Sequence, residues 1–579
     1  LIVKDWLKYM RAISFSRTKW ALCSAAFFLS ACSGMQLRAP VTVNLVAIND
    51  LHGHLEATSK SFAGVGDASP HKITAGGIDT IGGALNAWRA EDPQLLLVGA
   101  GDLIGASPAL SSIWADEPTI TALNQLQLRV SSVGNHEFDQ GTAELLRDQH
   151  GGCNSNRPEK ACHFSPSFSG AGFSYLAANV IGNADGAPLL PPYRIEQVRG
   201  LKIAFICSVV RETEKMVSAD GIASVHFTDE ADAINRWVPD LKAQGVSAIV
   251  VLIHQGGETP EPFDKANCQQ LRGPIVDIVK RLDPAIRLVI SAHTHNGYTC
   301  LVDGRTVTQG DSFGHMLTRI TLTVDPGVAD MAGKITAINA RNVLMDPQRF
   351  TADPALASFL QKLKERSGVV LAQPIARIAV PHVDKQINDA GESPLGDVIA
   401  DSQLAATRKL GARIALINHK SLRENLESGA GGSNYAQVAA TTPYGNTLVL
   451  MNLSGKQILA LLEQQSWLEE DRPGGRIMLQ VSQGFSYRWD ARQSLGQRVV
   501  RGSVRLDGVA LEPQKQYRVS VNSFIAQGGD GFSLLTQGSE RIDTGINDLD
   551  ALSQYLIASE RDGHPAGSVQ AAGRILRLH

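Results

Sequence analysis

The sequence predicts an α/β fold in two unequal parts, on three observations. From Val41 to about Asp346, β-branched apolar runs alternate with amphipathic stretches of helical period. A single capped helical stretch follows. From about Gln373 the alternation of strand and helix starts again, which marks a second α/β part.

The bulk numbers permit this size and narrow the partners. The 579 residues are 43% hydrophobic and 19% charged, enough for more than one core. A net charge of -3 gives no global basic field, so neither a nucleic-acid polymer nor an anionic membrane surface is an expected partner. No obligate protein partner is evident either.

The first residues read as a targeting segment rather than as fold. Arg11, Arg17 and Lys19 precede the apolar run Trp20-Ala31, which is too short to span a membrane as a mature helix and has the shape of a signal peptide. Met10 is a candidate start. The run ends Leu29-Ser30-Ala31-Cys32, which resembles a bacterial lipobox. Residues 1-31 are therefore expected to be removed, with Cys32 becoming the lipidated first residue and 32-40 a tether. The expected location is exported, periplasmic or surface-facing, with membrane attachment through the lipid alone and the outer membrane as the first choice. Ordinary cleavage near Ala31 is the alternative, but it leaves Cys32 without a use.

Five further cysteines remain after the signal: Cys153, Cys162, Cys207, Cys268 and Cys300. In an exported chain, pairs read as disulfides and a leftover as a buried thiol. Cys153 and Cys162 enclose the polar loop CNSNRPEKAC and are paired; Cys268 with Cys300 is the next choice. Cys207 sits in the apolar run KIAFICSVV and reads as a small core residue. A zinc cluster is the alternative use of these thiols, but no CxxC spacing supports it.

In the first part, expected domain 41-346, the apolar runs end in residues that can hold a metal. VTVNLVAIND (41-50) ends at Asp50, with His52 just beyond. LLLVGAGD (95-102) ends at Asp102. LRVSSVGNHEFD (128-139) stops abruptly at Asn135 and His136. AIVVLIHQGG (248-257) carries His254, and LVISAHTH (288-295) carries His293 and His295. Helical stretches at Ile78-Ala90 and Thr119-Leu128 alternate with them. One histidine after an apolar run is usually a hydrogen-bonded core or rim residue. Several strand ends converging with two Asp, one Asn and several His suit divalent ions such as Zn, Mn, Fe or Co, and chemistry in α/β folds sits at the carboxyl ends of strands. Histidines 71, 150, 163 and 226 lack that context and read as solvated. His54 reads as exposed or as a neighbour of the ligands, Trp114 as packing, and His315 is left open.

Taken together, NDLHGH (49-54), GDLIGASP (101-108), GNHEFD (134-139) and AHTH (292-295) resemble the calcineurin-like metallophosphatases, and more narrowly the periplasmic 5'-nucleotidase and UDP-sugar hydrolase family. Ala292 stands where that family usually has Gly. The resemblance implies a four-layer α/β/β/α domain with mixed sheets and two divalent metal ions. It implies that Asp50, His52, Asp102 and His295 hold one ion, and that Asp102, Asn135, His254 and His293 hold the other. Two cations about 3.5-4 Å apart acidify a shared water and clamp the oxygens of an in-line displacement. His136, oriented by Asp139, is then the expected catalytic pair at the phosphoryl or leaving oxygen.

The stretch 347-372 reads as a linker helix, DPALASFLQKLKERS, with Asp353 as cap and Leu356, Phe359, Leu360 and Leu363 at helical spacing. Residues 373-579 form the second domain. LGDVIADSQLAATRKLG (395-411) and SGKQILALLEQQSWL (454-468) read as helices, and ARIALIN (412-418) as a strand. TTPYGNTLVLMNL (441-453) and QYRVSVNSFIAQGGDGF (516-532) carry strands that run into turns. These resemble the nucleotide-recognition domain of the same family, which implies a base held between Tyr444 and Phe524, with Asn446 at its edge and Asp530 on the ribose hydroxyls. Stacking of this kind is worth about 1-3 kcal/mol per base. One stretch departs from the family. NHKSLREN (418-425) keeps Arg423 but puts His419, Lys420 and Ser421 where small residues are usual, and VDKQIND (383-389) offers Lys385 where relatives tend to carry arginine. A lysine lacks the bidentate fork.

The expected function is removal of phosphate from nucleoside 5'-monophosphates by in-line attack of a metal-bridging hydroxide. The alternatives on the same site are 2',3'-cyclic-nucleotide phosphodiesterase and UDP-sugar diphosphatase. From another class, a surface binding or adhesion lipoprotein without turnover is the remaining reading.

Overall fold

The computed structural model describes residues 39-578 except 68, 218, 219, 445 and 472-474, so the expected signal peptide and Cys32 lie outside the described residues. The first part is built on two six-stranded mixed sheets. In one, Val41-Ile48 is antiparallel to Met316-Val324 and parallel to Leu96-Ala100, which in turn runs parallel to Leu128-Ser132. In the other, Leu201-Val209, Ala248-His254, Ile286-Ile290 and Arg305-Gly310 are parallel neighbours, with an antiparallel strand at each edge.

Both faces of these sheets are covered, which is why their strands read as unbroken apolar runs. Along Val41-Ile48 the alternation splits two cores: Val43, Leu45 and Ala47 face the partner sheet, while Val46 and Ile48 face helices. In the second sheet Ile203, Phe205 and Cys207 meet the first sheet, and Ala204 and Ile206 face the helices Glu230-Ala243 and Pro274-Arg281. The order helix, sheet, sheet, helix follows, as the family resemblance implied. Cys207 is buried and unpaired in the inter-sheet core, and Cys153-Cys162 and Cys268-Cys300 are disulfides.

Parallel pairing has one consequence for the site. The carboxyl ends of Val41-Ile48, Leu96-Ala100 and Leu128-Ser132 fall at one edge of the first sheet, and those of Ala248-His254 and Ile286-Ile290 at the matching edge of the second. Every expected ligand leaves the sheets there.

Helix Pro354-Leu371 follows. The Asp353 carboxylate accepts from the Ala355 and Leu356 amides, which satisfies two of the free N-H groups of the first turn. Leu356, Leu360 and Leu363 are buried against the first part, and the Trp114 indole donates to Ser367 Oγ at 2.7 Å, so Trp114 packs rather than lining a cleft. The second part centres on a five-stranded sheet in the order Leu479-Val481, Ile414-Asn418, Gln516-Asn522, Thr447-Ser454, Ser539-Asn547. Its helices Pro394-Thr407 and Asp548-Arg561 pack together over it.

Two of the boundaries that differ from the sequence expectation have a clear local cause. The helix expected over 454-468 spans Gly455-Glu463, because Gln465 and Ser466 turn aside to bond Leu479 and Ile477 while Trp467 buries fully beneath them. The helix expected over 119-128 spans Glu117-Gln125, because Leu128 already opens a strand. Among the described residues no helix is long and apolar enough to cross a membrane.

Candidate dimetal site and the adjoining cavity

The strand ends bring seven expected ligands together around Asp102. Three groups of potential donor atoms each fall within 4.8 Å: Asp50, His52 and His295; His52, Asp102 and His136; Asp102, His254 and His293. His52 Nε2 is 3.1 Å from His295 Nε2 and 3.6 Å from Asp102 Oδ2. His254 Nε2 lies 3.0 Å from Asp102 Oδ2. Asn135 is buried beside them, and its Oδ1 has no hydrogen-bond partner.

Local backbone chemistry produces this convergence. Asp50, His52, Asp102, His293 and His295 all have positive φ, between 47° and 77°, a region that non-glycine residues rarely occupy. Such conformations persist only where the surroundings hold them, and they cluster at functional sites. Here the surroundings are specific. The Asp50 and His52 amides donate to the carbonyls of Gly101 and Asp102, and the His293 amide donates to the Asp50 carboxylate at 3.0 Å. Gly134 presses so close that a Cβ there would overlap Asp102 Oδ1, and one at Gly101 would lie 2.6 Å from the Gly134 nitrogen. Side chains at these two positions would push the loops apart.

The donor set fits divalent cations. His52 Nδ1 and His254 Nδ1 are each 2.9 Å from a backbone carbonyl, of Gly105 and Ala100, which fixes the rings and turns both Nε2 atoms inward. His254 Nε2 then faces the Asp102 carboxylate, and Oδ1 of Asn135 has no hydrogen-bond partner in a buried place, a costly arrangement unless a cation takes its lone pair. The buried acid and imidazoles also shift one another's protons. Burial alone would raise the Asp102 carboxyl, yet His254, His136 and His52 hold it well below the usual carboxylate range. Burial would likewise depress His254, but the Asp102 and Asp50 charges lift it to about 9. His52 goes the other way, because burial outweighs its pairing with Asp102.

Glu137, which the sequence reading passed over, organises the loops. Its buried carboxylate accepts from the amides of Asp102 (2.9 Å), Leu103 (2.8 Å) and Gly134 (2.5 Å), tying two ligand loops to one side chain. Burial and the Asp102 charge raise it to about 7. The only sequence signal was an acid among apolar and ligand residues in GNHEFD. A second support was also missed. Asn49 Nδ2 donates to Asp50 Oδ2 and to the Asp311 carbonyl, both at 2.7 Å, and Asp311 in turn bonds His315 Nδ1 (2.9 Å) and Lys60 (2.6 Å). His315 thus has a place behind the site. His54 stacks on Phe313 with ring centroids 4.0 Å apart, and histidines 71, 150, 163 and 226 are exposed.

His136 stands where the two parts meet. Its Nδ1 is 2.8 Å from Asp139 Oδ2, and its ring stacks at 6.2 Å and 20° on that of Tyr444 from the second part. Burial would lower it, but Asp139 and Asp102 raise it to about 9. Beside it opens a cavity of about 560 Å³, lined from the first part by Asn135, His136, Asp139 and His293 and from the second by Asn418, Lys420, Tyr444, Asn446, Phe524 and Asp530. Four of the six expected substrate residues therefore share one cavity. A Cβ on Gly529 would lie 2.6 Å from the Phe524 ring, so the glycine is what lets that turn close over the ring. Asp530, at φ 52°, accepts from Asn418 Nδ2 at 2.5 Å. Asn446 Oδ1 accepts from Ser523 Oγ at 3.2 Å.

Arg423 and Lys385 are placed differently. Arg423 does not line the cavity, and its charge opposes protonation of His52, His54 and His136, so it acts on the metal end. The Lys385 ammonium donates to the Arg423 carbonyl and does not line the cavity.

Comparison with known proteins agrees with this division. Residues 43-297 match the family model for calcineurin-like phosphoesterases, and residues 374-537 match that for the 5'-nucleotidase C-terminal domain. The chain is 30% identical to the endonuclease YhcR of Bacillus subtilis over 89% of its own length but only 40% of that protein's. It is also 30% identical to the cell wall protein Lmo0130 of Listeria monocytogenes, over 92% of this chain and 68% of the relative. Among solved structures, a 5'-nucleotidase precursor from Thermus thermophilus superposes with a TM-score of 0.68 at 26% identity, covering 93% of this chain and all of that one.

Proposed function

The chain belongs to the family that joins a calcineurin-like phosphoesterase domain to a 5'-nucleotidase C-terminal domain, and from that premise we propose that this metal-dependent phosphoester hydrolase removes phosphate from nucleoside 5'-monophosphates. What carries the reading is the single cavity that runs from His136 and His293 to Tyr444, Phe524 and Asp530. It gives one small ligand access to both a metal-type donor set and a pair of aromatic faces. In this reading residues 41-346 hydrolyse, 347-372 link, and 373-579 capture the nucleoside.

Asp50, His52, Asp102 and His295 would hold one divalent ion, and Asp102, Asn135, His254 and His293 the other. Such ions, when bound, supply positive charge to phosphoryl oxygens and lower the pKa of water. The protein's own groups do the rest. Asp139 orients the His136 ring through Nδ1, leaving Nε2 to hold a proton for a phosphoryl or leaving oxygen. Arg423 adds positive charge at that end, with Lys385 fixing its loop through the backbone carbonyl. Tyr444 and Phe524 stack on the base, Asn446 bonds its edge and Asp530 accepts from the ribose hydroxyls. An exported location fits the two disulfides, which persist in oxidising compartments. A lipid on Cys32 is the attachment proposed with it.

The test is phosphate release by the purified protein, stripped by chelator and reloaded with Mn²⁺, on AMP, 2',3'-cyclic AMP and UDP-glucose. Metal-dependent turnover of AMP above the other two is expected. Preference for either of the others would move the assignment to a phosphodiesterase or a diphosphatase, and no turnover of any by the loaded protein would leave a binding role.

A further inference from the structure

Among the described residues lining the cavity, Lys420 is the one lysine or arginine, and it is exposed there. It lies in the 3-10 turn His419-Ser421, directly after the strand Ile414-Asn418. The side chains around it are committed. Asn418 holds Asp530 at 2.5 Å, His419 Nδ1 accepts from the Met478 amide at 3.0 Å, and Ser421 Oγ donates to Asn418 Oδ1 at 2.7 Å. Among the described residues the Lys420 ammonium makes no hydrogen bond or ion pair. An exposed lysine without a partner is ordinary on a surface, where water satisfies it. On a fixed turn inside a ligand cavity that also carries Asp139, Asp220 and Asp530, it is a fixed place for negative charge.

The two cations of this segment serve different ends. Arg423 does not line the cavity, whereas Lys420 lines it together with Asn418, Ser421 and Asp530. Lys420 is two residues from Asn418, whose amide holds the carboxylate placed on the ribose hydroxyls. An anion near Lys420 would therefore sit beside the ribose, away from the scissile phosphate.

We infer that Lys420 recognises a second phosphate on the ribose, so that the cavity prefers nucleoside 3',5'-bisphosphates to plain 5'-monophosphates. This rests on the nucleotide reading above and specifies its substrate class. Asp530 then meets the remaining hydroxyl, and Lys420 offsets the repulsion between that carboxylate and the added phosphate. The hydrolysed bond is unchanged: the 5'-phosphate leaves as inorganic phosphate and the 3'-phosphate stays on the product.

The test compares kcat/KM for adenosine 3',5'-bisphosphate and for AMP on the full, metal-loaded protein, Lys420→Gln and Lys420→Arg. The wild type should favour the bisphosphate. The ratio should fall about tenfold in Lys420→Gln, the size expected of one charge-assisted contact, and be largely restored in Lys420→Arg. Added salt should shrink the wild-type preference, since the contact is exposed. An unchanged ratio in Lys420→Gln, or a wild type that turns over AMP as well as the bisphosphate, overturns the inference and leaves the nucleotidase reading intact. If neither nucleotide is cleaved while bis(4-nitrophenyl) phosphate is, the nucleotide reading falls and takes this inference with it.

Discussion

Glu137 uses a buried carboxylate to hold backbone rather than metal. Its oxygens accept from the Asp102, Leu103 and Gly134 amides, so the loops that carry Asp102 and Asn135 share one anchor. In Glu137→Gln one oxygen becomes an NH2 facing N-H donors, which leaves buried amides unpaired at about 1-3 kcal/mol each. The variant should melt at a lower temperature and retain less Mn²⁺ after gel filtration than the wild type. Full metal content with an unchanged melting point would show that the loops hold themselves. The convergence of the expected ligands was legible because each ends an apolar run in a hard or imidazole donor. Glu137 was not, since a carboxylate that bonds main-chain amides imposes no spacing on the sequence. Nor was the chain of contacts through Asn49, Asp311, His315 and Lys60, in which Asn49 and Asp311 lie 262 residues apart.

At the scale of elements, strands flanked by strong periodicity were placed well and the late ones were not. Helix Ile78-Glu91 matches its apolar spacing almost residue for residue. The strand Ser539-Asn547 and the helix Asp548-Arg561 went unread, because a half-exposed edge strand rich in charge has no clear alternation. Helix Pro394-Thr407 was read, but not what its buried face carries. Asp397 lies there with Oδ1 unbonded, near Arg574, Asp401 and Glu392, and burial first, then the neighbouring carboxylates, push it up to about 7 against the pull of Arg574. A carboxyl whose folded pKa exceeds its unfolded value of about 3.9 binds a proton more tightly in the folded state, so it costs stability as pH rises through that window. The contribution is fully present near pH 4 and lost by about pH 7. Asp397→Asn keeps an acceptor for the Ala572 amide and removes the titration. Melting curves at pH 5 and pH 8 should differ less in the variant than in the wild type, with the variant the more stable at pH 8; parallel losses in both proteins would place the linkage elsewhere.

For the whole molecule, the essential feature is that residues from different parts of the chain meet in one cavity, which the proposed function divides into chemistry and recognition. The sequence could place His136 at a strand end and Tyr444 before a strand, but nothing in either stretch says that their rings stack across 308 positions. Packing between the parts decides it: Ala439 of the second part is buried in the core of the first, and the Gln140 amide reaches the Tyr444 carbonyl at 3.4 Å. The division of labour makes a prediction that neither half could make alone. Phe524 is remote in sequence from every metal-type donor and lines the cavity with Tyr444 and Asp530, so on the proposed function its truncation should weaken recognition without disturbing the chemistry. Loss of one base-stacking face costs about 1-3 kcal/mol, roughly five- to 150-fold in affinity. Phe524→Ala should therefore raise KM for AMP by at least fivefold. Its kcat/KM for bis(4-nitrophenyl) phosphate, which has no nucleoside to stack, should stay within about twofold of the wild type on the same scale. Equal losses on both substrates would mean that the ring supports the packing of the cavity rather than the base, and the aromatic pair would then have to be assigned to structure.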